Sequence, residues 1–377
     1  MNQFNLPLCM RVKEKAMDEV DTIIEESVCD AHKKHAIIVS DEILYGRYKE
    51  KIDALAGKFT ACKIYLGPQG SYYDAVELGK YIAIHNVDVI IGFGGGKVLD
   101  TTKYAAYIAK KAYFGIPTCL SHDGIASPIA VLSIEDGKRK SFGCKIPSGI
   151  IVDIDIVSNA PFEMLQSGIG DTLSNYTALY DWRLEQKSRG KKVNDFAYML
   201  SEISFRSLYY NEEKSFKSKQ FIKSMSQSLV FSGMAMEIAG SSRPCSGSEH
   251  LFSHSLDENY KTIKISHGMA VALGSVVACI LQGRDHRMLL DYLKAYGISV
   301  QPMKWGITKD VFVNAWMFAK DTRKDRYTIL NEIKLTRDIL ELIYDMVEEE
   351  NYESIDFGSR IWQQAGTHYD YMSKVHG

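Results

Sequence analysis

Several features that point to a particular compartment or cofactor are missing from this sequence. The seven cysteines are scattered, and no two of them form a C-x-x-C pair. An odd number of unpatterned cysteines argues against a disulfide framework and a cysteine-ligated zinc site, and it is typical of a reducing cytosol. The N-terminal stretch MNQFNLPLCMRVKEKAMDEV lacks the apolar core of a signal peptide. We therefore expect a cytoplasmic protein.

Charge of one sign and long apolar runs are also missing. The formal net charge is -2 over 377 residues, and no stretch approaches the ~20 apolar residues of a membrane-spanning helix. Neither a nucleic acid nor a membrane is therefore expected as a partner. The length suggests two domains, and a hydrophobic content of 46% is that of an ordinary globular protein.

Short apolar runs alternate with helical patterns over the first 160 residues. The predicted strands, thought to be buried on both faces, are 35–41, 61–67 and 87–94, with a last strand within 145–157. The predicted helices are 74–86 and 97–111. This β-α-β-α order predicts a parallel sheet with right-handed crossovers. Because the pattern turns mostly helical from Pro161, we predict an α/β domain over 1–160 and an all-helical domain over 161–377.

The stretch IIGFGGGKVLDTTKY, residues 90–104, contains a cluster of glycines after an apolar run. A strand that ends in glycines and opens a helix can bind phosphate, because the backbone is accessible and the helix N-terminus supplies N–H donors. The pattern departs from G-x-G-x-x-G, and the acid best suited to hold a ribose, Asp41, precedes the glycines instead of following them. Alone, the stretch is either a phosphate loop or a tight turn without a ligand.

Two later segments contain side chains that bind metals. In SGIGDTLSNYTALYDW, Asp171 is expected at the start of a helix, as a cap or as a ligand. In CSGSEHLFSHSLDE, His250 and His254 are four residues apart and share a face of a predicted helix, as ligands or as ordinary solvated or core histidines.

A third segment, ISHGMAVALGS, places His267 before an apolar helix, where a structural role is equally open. Two histidines and one carboxylate together make a three-ligand site with one open position. That arrangement is typical of a catalytic metal and not of a structural one.

Six motifs occur together in one order along the chain. They are GFGGGKVLDTTKY (92–104), IPTCLSHDGIASP (116–128), GDTLSNYTALYDWRL (170–184), SGSEHLFSHSLDE (246–258), SHG (266–268) and TRKDRYTIL (322–330). In this order they resemble the sn-glycerol-1-phosphate dehydrogenases, within the superfamily of iron-containing alcohol dehydrogenases, glycerol dehydrogenases and dehydroquinate synthases. The motifs SHDGIASP and SGSEHLFSH are specific to this branch.

The resemblance implies a dehydroquinate synthase-like fold: an α/β nucleotide-binding domain with a parallel sheet, then an all-helical metal-binding domain. It implies NADH or NADPH as hydride donor and a divalent metal, usually Zn²⁺, with Ni²⁺ or Fe²⁺ as alternatives. The implied metal ligands are Asp171, His250 and His267. The implied cofactor contacts are Asp41, Gly94, Gly95, Gly96, Lys97, Thr118, Ser121 and Ser127. Asp123 and Ser127 are expected to line the substrate pocket, and Asp123 and His254 are the expected catalytic residues.

The implied reaction reduces dihydroxyacetone phosphate to sn-glycerol 1-phosphate. The proton could come from His254, from Asp123 or from a metal-bound water, and these alternatives stay open at the sequence level. The substrate phosphate needs a cation, for which Lys145, Arg323 and Arg326 are the candidates. Lys103, in the helix after the glycines, is expected to be solvated. The superfamily also suggests a homo-oligomer.

Two departures from the branch pattern bear on substrate choice. Met269-Ala270 follows His267-Gly268 where the branch commonly has Glu-Gln, and Cys119-Leu120 replaces small residues before SHDG. The alternatives are therefore the same scaffold acting on another polyol or polyol phosphate, a dehydroquinate synthase-like cyclase, and a binding scaffold without activity. Retention of all three ligand-type residues argues against the last of these.

Overall fold

A computed structural model describes residues 6–350 of the chain. The strands are β1 Cys9–Lys13, β2 His35–Ser40, β3 Ala61–Leu66, β4 Val89–Gly94, β5 Ala112–Pro117, β6 Ile129–Ser133, β7 Arg139–Gly143 and β8 Gly149–Asp153. The helices are α1 Val20–Glu25, α2 Glu42–Ala56, α3 Tyr72–Ile84, α4 Gly96–Ala109, α5 Ile154–Val157, α6 Phe162–Leu173, α7 Asn175–Arg189, α8 Asp195–Tyr209, α9 Lys219–Ala239, α10 Ser248–Asn259, α11 His267–Leu281, α12 Arg287–Ala295, α13 Lys309–Ala319 and α14 Arg337–Glu348.

The chain divides into two compact units. The first runs to Gly168 and also includes Arg206–Ser241, and the second consists of Ile169–Phe205 and the chain from Ser242 onward. The division into domains at 1–160 and 161–377 stays a prediction. The helix α9 belongs to the first unit, although it follows residues 169–205 of the second unit in the sequence.

A six-stranded parallel sheet forms the centre of the first unit, in the order β1-β8-β5-β4-β2-β3. Successive residues of a strand point to opposite faces, so Ile38 and Ile91 join one apolar core and Ile37 and Ile90 the other. Because both faces are covered, β4 is buried along its whole length, which confirms the predicted parallel α/β sheet.

The predicted burial of one strand was wrong. The segment 61–67 was expected to be buried on both faces, but β3 stands at the end of the strand order and its residues are exposed or half-buried. An apolar run alone does not distinguish a central strand from an edge strand. A separate antiparallel hairpin of β6 and β7 follows β5 in the chain.

The second unit contains helices and loops, and no strand among its described residues. The apolar helix α11 is buried along almost its whole length and packs against α10, which also packs against α13. A single element that is apolar all round must be enclosed by other elements, and α11 is therefore the core of this unit. Within residues 6–350, none of the helices combines the length and the apolar character needed to cross a membrane.

Candidate metal centre and cofactor loop

Asp171 lies near the end of α6, not at a helix start as the sequence suggested. Its position depends on Gly170, because a Cβ on that residue would stand 2.2 Å from the carbonyl oxygen of Gly268. The missing side chain lets α6 approach the first turn of α11 closely. That approach brings Asp171 beside His267, the first residue of α11.

Asp171, His250 and His267 converge in the second unit. The Asp171 Oδ1 atom lies 3.7 Å from His250 Nε2 and 3.5 Å from His267 Nε2. One ligand atom from each of the three residues lies within 4.8 Å of the others, and Asp171 and His250 are buried. Two imidazoles and a carboxylate suit Zn²⁺ or Fe²⁺ and leave positions open for a substrate. The donor set therefore fits a catalytic divalent ion.

The other ring nitrogen of His250 is held by Glu249. His250 Nδ1 donates to Glu249 Oε1 at 2.9 Å, and this carboxylate is completely buried. Glu249 also accepts hydrogen bonds from the Thr177 hydroxyl at 2.8 Å and the Gly247 amide at 2.5 Å. A carboxylate behind a ligating histidine fixes the tautomer, so that Nε2 faces the metal. Glu249 was not among the predicted site residues, because adjacent residues of a helix point to different sides and no spacing signals this contact.

The pKa values of the ligands show how strongly these charges attract each other. Burial raises the pKa of Asp171, but the two imidazoles outweigh burial and hold it well below its usual range. Burial lowers the pKa of His250, but Asp171 and Glu249 outweigh it and raise the value to about 9. The pocket thus stabilises positive charge, which a divalent ion would provide in place of the protons.

His254 lies one helical turn after His250, with ring centroids 6.3 Å apart, which confirms that the two share a face of α10. Burial first, and the nearby charge of Arg323 second, hold the pKa of His254 well below its usual range. Burial also lowers the pKa of Arg326 to about 9, and Arg323 and Arg243 reinforce that shift. These cations make the surroundings of His254 favourable for an anion.

The glycine run lies at the carboxyl edge of the sheet in the first unit. Gly94 ends β4, Gly95 is the residue before α4, and Gly96 opens the helix. Asp41 follows the adjacent strand β2, and Thr118 follows β5 on the other side, with its amide donating to the Gly94 carbonyl at 3.0 Å. Ligands of open α/β sheets bind at this edge, beyond the carboxyl ends of the strands.

All residues predicted to contact the cofactor lie in this unit, but they differ in their present contacts. Asp41 caps α2 through Oδ1, which accepts from the Leu44 amide at 2.8 Å. The Lys97 side chain lies against Gly70, and the Ser121 hydroxyl lies 3.8 Å from Cys119 Sγ. Their binding roles stay predictions.

The loop after β5 contains the other predicted residues of this unit. Ser127 is buried, and its hydroxyl donates to the Ile129 carbonyl at 3.3 Å. Asp123 is half-buried in a short 3-10 turn. The structure therefore brings Asp123 and Ser127 into one loop of the first unit, as their spacing required.

The prediction for Lys103 was wrong, because this residue is only 2% exposed. Nothing local in α4 signals this burial, because the carbonyls that receive its ammonium group, those of Gly124 and Ile129, lie beyond β5. His122 was also missed. A Cβ on Gly96 would stand 2.6 Å from His122 Nε2, so the bare backbone of Gly96 accommodates this ring.

The fold of this chain is similar to that of known dehydrogenases. The sequence model of the iron-containing alcohol dehydrogenase family matches residues 11–161. The solved structure of glycerol dehydrogenase from Schizosaccharomyces pombe superposes with a TM-score of 0.75 at 19% identity, over 98% of this chain and 94% of that one. A probable glycerol dehydrogenase from Sinorhizobium meliloti gives 0.74 at 20% identity, over 94% and 100% of the two chains. The predicted fold class is thereby confirmed.

Curated relatives define the branch within that class. Glycerol-1-phosphate dehydrogenase [NAD(P)+] of Hyperthermus butylicus is 34% identical, over 89% of this chain and 95% of the relative. The protein of the same name from Caldivirga maquilingensis is 41% identical, over 71% of this chain and 79% of the relative. The chain belongs to the glycerol-1-phosphate dehydrogenase family, which confirms the resemblance of the motifs.

Proposed function

We propose that this chain is a metal-dependent NAD(P)H oxidoreductase that reduces dihydroxyacetone phosphate to sn-glycerol 1-phosphate. The observation that carries the proposal is the convergence of Asp171, His250 and His267, in a chain whose relatives are named for this reaction. Reduction adds a hydride to the substrate carbonyl carbon and a proton to its oxygen. The chain must therefore hold a hydride donor, stabilise charge on that oxygen and supply the proton.

The first unit supplies the cofactor site in this proposal. The amides at the start of α4 point beyond Gly95 and Gly96, where they can receive the pyrophosphate of NADH or NADPH. Asp41 uses Oδ1 to cap α2, and its second oxygen is the group that we assign to a ribose hydroxyl. Lys97, Thr118, Ser121 and Ser127 complete the proposed contacts.

The second unit supplies the electrophilic site. Asp171, His250 and His267 would hold a divalent ion, which when bound would supply Lewis acidity at the substrate oxygen. Glu249 keeps His250 Nδ1 protonated, so that Nε2 is the available ligand atom.

The proton is assigned to His254 or Asp123. His254 is neutral at ordinary pH because burial depresses its pKa, so it can donate its N–H proton only while recovering another from water. For the substrate phosphate we favour Arg323 and Arg326 over Lys145. Both arginines are largely buried and act on the pKa of His254, whereas Lys145 is exposed.

The test is oxidation of NADH and NADPH with dihydroxyacetone phosphate and with dihydroxyacetone, before and after chelator treatment. We expect metal-dependent turnover of the phosphorylated ketose. His250→Ala is expected to lose bound metal and activity together, and His32→Ala, at an exposed histidine, is the matched control. Full activity and metal content in His250→Ala would contradict the ligand assignment.

Other outcomes favour the alternatives. A preference for the unphosphorylated ketose would favour another polyol as the substrate, the alternative that the departures at Met269 and Ala270 keep open. Phosphate release without net cofactor oxidation would indicate a cyclase. A cytoplasmic homo-oligomer that binds neither nucleic acid nor membrane is part of the same proposal and rests on the sequence.

A further inference from the structure

Lys103 is a buried lysine that the chemistry proposed above does not use. It lies in the middle of α4, the helix that the glycine run opens, and its side chain is 1% exposed. An ammonium group has three N–H donors. Three acceptors receive them: Asp100 Oδ1 at 3.1 Å, the Gly124 carbonyl at 2.7 Å and the Ile129 carbonyl at 2.8 Å.

Asp100 continues the same arrangement. It is three residues before Lys103 on the same face of α4, and it is 4% exposed. Its Oδ2 atom accepts a hydrogen bond from the Val131 amide at 3.0 Å. The two side chains therefore bind three backbone groups in residues 121–131, which we call the 121–131 segment. This segment contains the proposed Asp123 and Ser127.

Two further contacts stabilise the segment, a hydrogen bond within it and a close approach of α9. The Gly124 amide donates to His122 Nδ1 at 3.0 Å. On another side α9 approaches the segment, and a Cβ on Gly233 would stand 2.5 Å from the Ala126 carbonyl carbon. The segment is thus enclosed between α4 and α9, and the Lys103–Asp100 pair supplies its charged anchors.

We propose that Lys103 and Asp100 are positioning residues for the reaction. They hold the 121–131 segment at a set distance from the glycine run, because the same rigid helix α4 begins at that run and carries both anchors. The inference rests on the proposed function for its catalytic consequence. The pair sets where Asp123 and Ser127 stand relative to the bound cofactor, whereas most of the proposed cofactor contacts, including those of the glycine run, lie outside the segment.

A purely structural buried pair makes a different prediction. Replacing a buried ion pair by neutral groups of similar volume is often harmless to stability, whereas removing one partner leaves an unpaired buried charge. If the pair only stabilised the fold, neutralising both members would restore both stability and turnover. If it positions the segment, turnover stays low in the double variant even where that variant is fully folded, because the Gly124 and Ile129 carbonyls have lost their donor.

The test uses Lys103→Met, Asp100→Asn and the double variant in the full-length protein. We expect kcat with dihydroxyacetone phosphate to fall about 10- to 100-fold in Lys103→Met and in the double variant, because small displacements of reacting groups are costly. The Kd for NADH should rise by no more than about threefold, since only Ser121 and Ser127 of the proposed cofactor contacts lie in the segment and the glycine-run contacts are kept. Amide hydrogen exchange in the 121–131 segment should accelerate about tenfold.

Lys80 and Glu77 provide a matched control. They form an ion pair at the same spacing on α3, but their side chains are 61% and 67% exposed. Lys80→Met and Glu77→Gln should leave kcat, NADH binding and exchange unchanged. Asp100→Asn keeps the test possible if Lys103→Met does not fold, and it should shift every readout in the same direction by less.

Two results would overturn the inference: unchanged exchange in the 121–131 segment, or a double variant that recovers both thermal stability and kcat. These results are separable from failure of the proposed function. A wild-type protein that does not reduce dihydroxyacetone phosphate would reject that function, while the exchange and NADH measurements would still decide whether the pair holds the segment.

Discussion

Replacing Glu249 by glutamine is expected to weaken metal binding at the Asp171, His250 and His267 site by about 10- to 100-fold, which corresponds to about 1.4–2.7 kcal/mol. The substitution removes the charge of Glu249 and keeps its hydrogen bonds, because the donors are divided between the two carboxylate oxygens. Oε1 accepts from His250 Nδ1 and from the Gly247 amide, and Oε2 accepts from the Thr177 hydroxyl. A glutamine can keep its oxygen at the first two donors and turn its amide toward Thr177, whose hydroxyl can also accept. The shape is preserved and the charge is lost.

The stability of the metal-free protein should change much less than the metal affinity. Glu249 lies near Asp181, and the buried Asp181 carboxyl has its pKa raised to about 6 by burial and then by the Glu249 charge. Removing the Glu249 charge relieves that repulsion while it weakens the support of His250. The two effects oppose each other in the free energy of unfolding, but only the second acts on metal affinity.

The assay is competition for Zn²⁺ between the metal-free protein and a fluorescent chelator, with thermal unfolding of the metal-free protein measured in parallel. Glu258→Gln is the control, because Glu258 is an exposed glutamate on the same helix α10. A Zn²⁺ affinity in Glu249→Gln equal to that of the wild type would refute the reasoning, and so would an equal loss in the control.

Two further predictions test the packing and the buried charge. Gly170→Ala should lower both the melting temperature and the metal affinity, with about 1–3 kcal/mol of overpacking, because its Cβ would meet the Gly268 carbonyl at 2.2 Å. Gly46→Ala on α2, where no atom lies within 4 Å, should be neutral or stabilising, and an equal loss in both variants would contradict the prediction. Asp181 has a folded pKa of about 6, above its ordinary value of 3.8, so its protonated form stabilises the fold at low pH and that contribution is lost as the pH rises from about 4 through 6. In urea unfolding, the free energy of unfolding of Asp181→Asn should therefore rise relative to that of the wild type by up to about 3 kcal/mol between pH 4 and 7. A difference that does not depend on pH would count against a raised pKa.

Much of the α/β unit followed from local patterns. The apolar runs at β2 and β4 and the helical spacing of α3 and α4 were found within about two residues of their observed bounds. The strand β1 was missed because it joins the sheet by pairing with β8, far along the chain. No local period signals such a pairing, because each strand contributes only one side of it.

For the metal residues, too, local patterns predicted one part of the arrangement and only the packed chain shows the rest. The sequence placed His250 and His254 on one helix face and identified Asp171 and His267 as ligand types. Spacing along the chain could not show that the three segments meet, which only the family resemblance implied, and it put Asp171 at the wrong end of its helix. The close approach at Gly170 decided that geometry.

The sequence by itself determined the alternation of strands and helices around the glycine run and the family, since these depend on spacing along the chain and on residue identity. The tertiary structure alone decided which charges are buried. Lys103 and Glu249 appear in the sequence as ordinary charged helix residues, and each became an internal anchor because a distant segment covers it and accepts or donates its hydrogen bonds. Burial and partner choice are properties of the packed chain, in which residues far apart in sequence supply the low-dielectric surroundings that give a charge its strength.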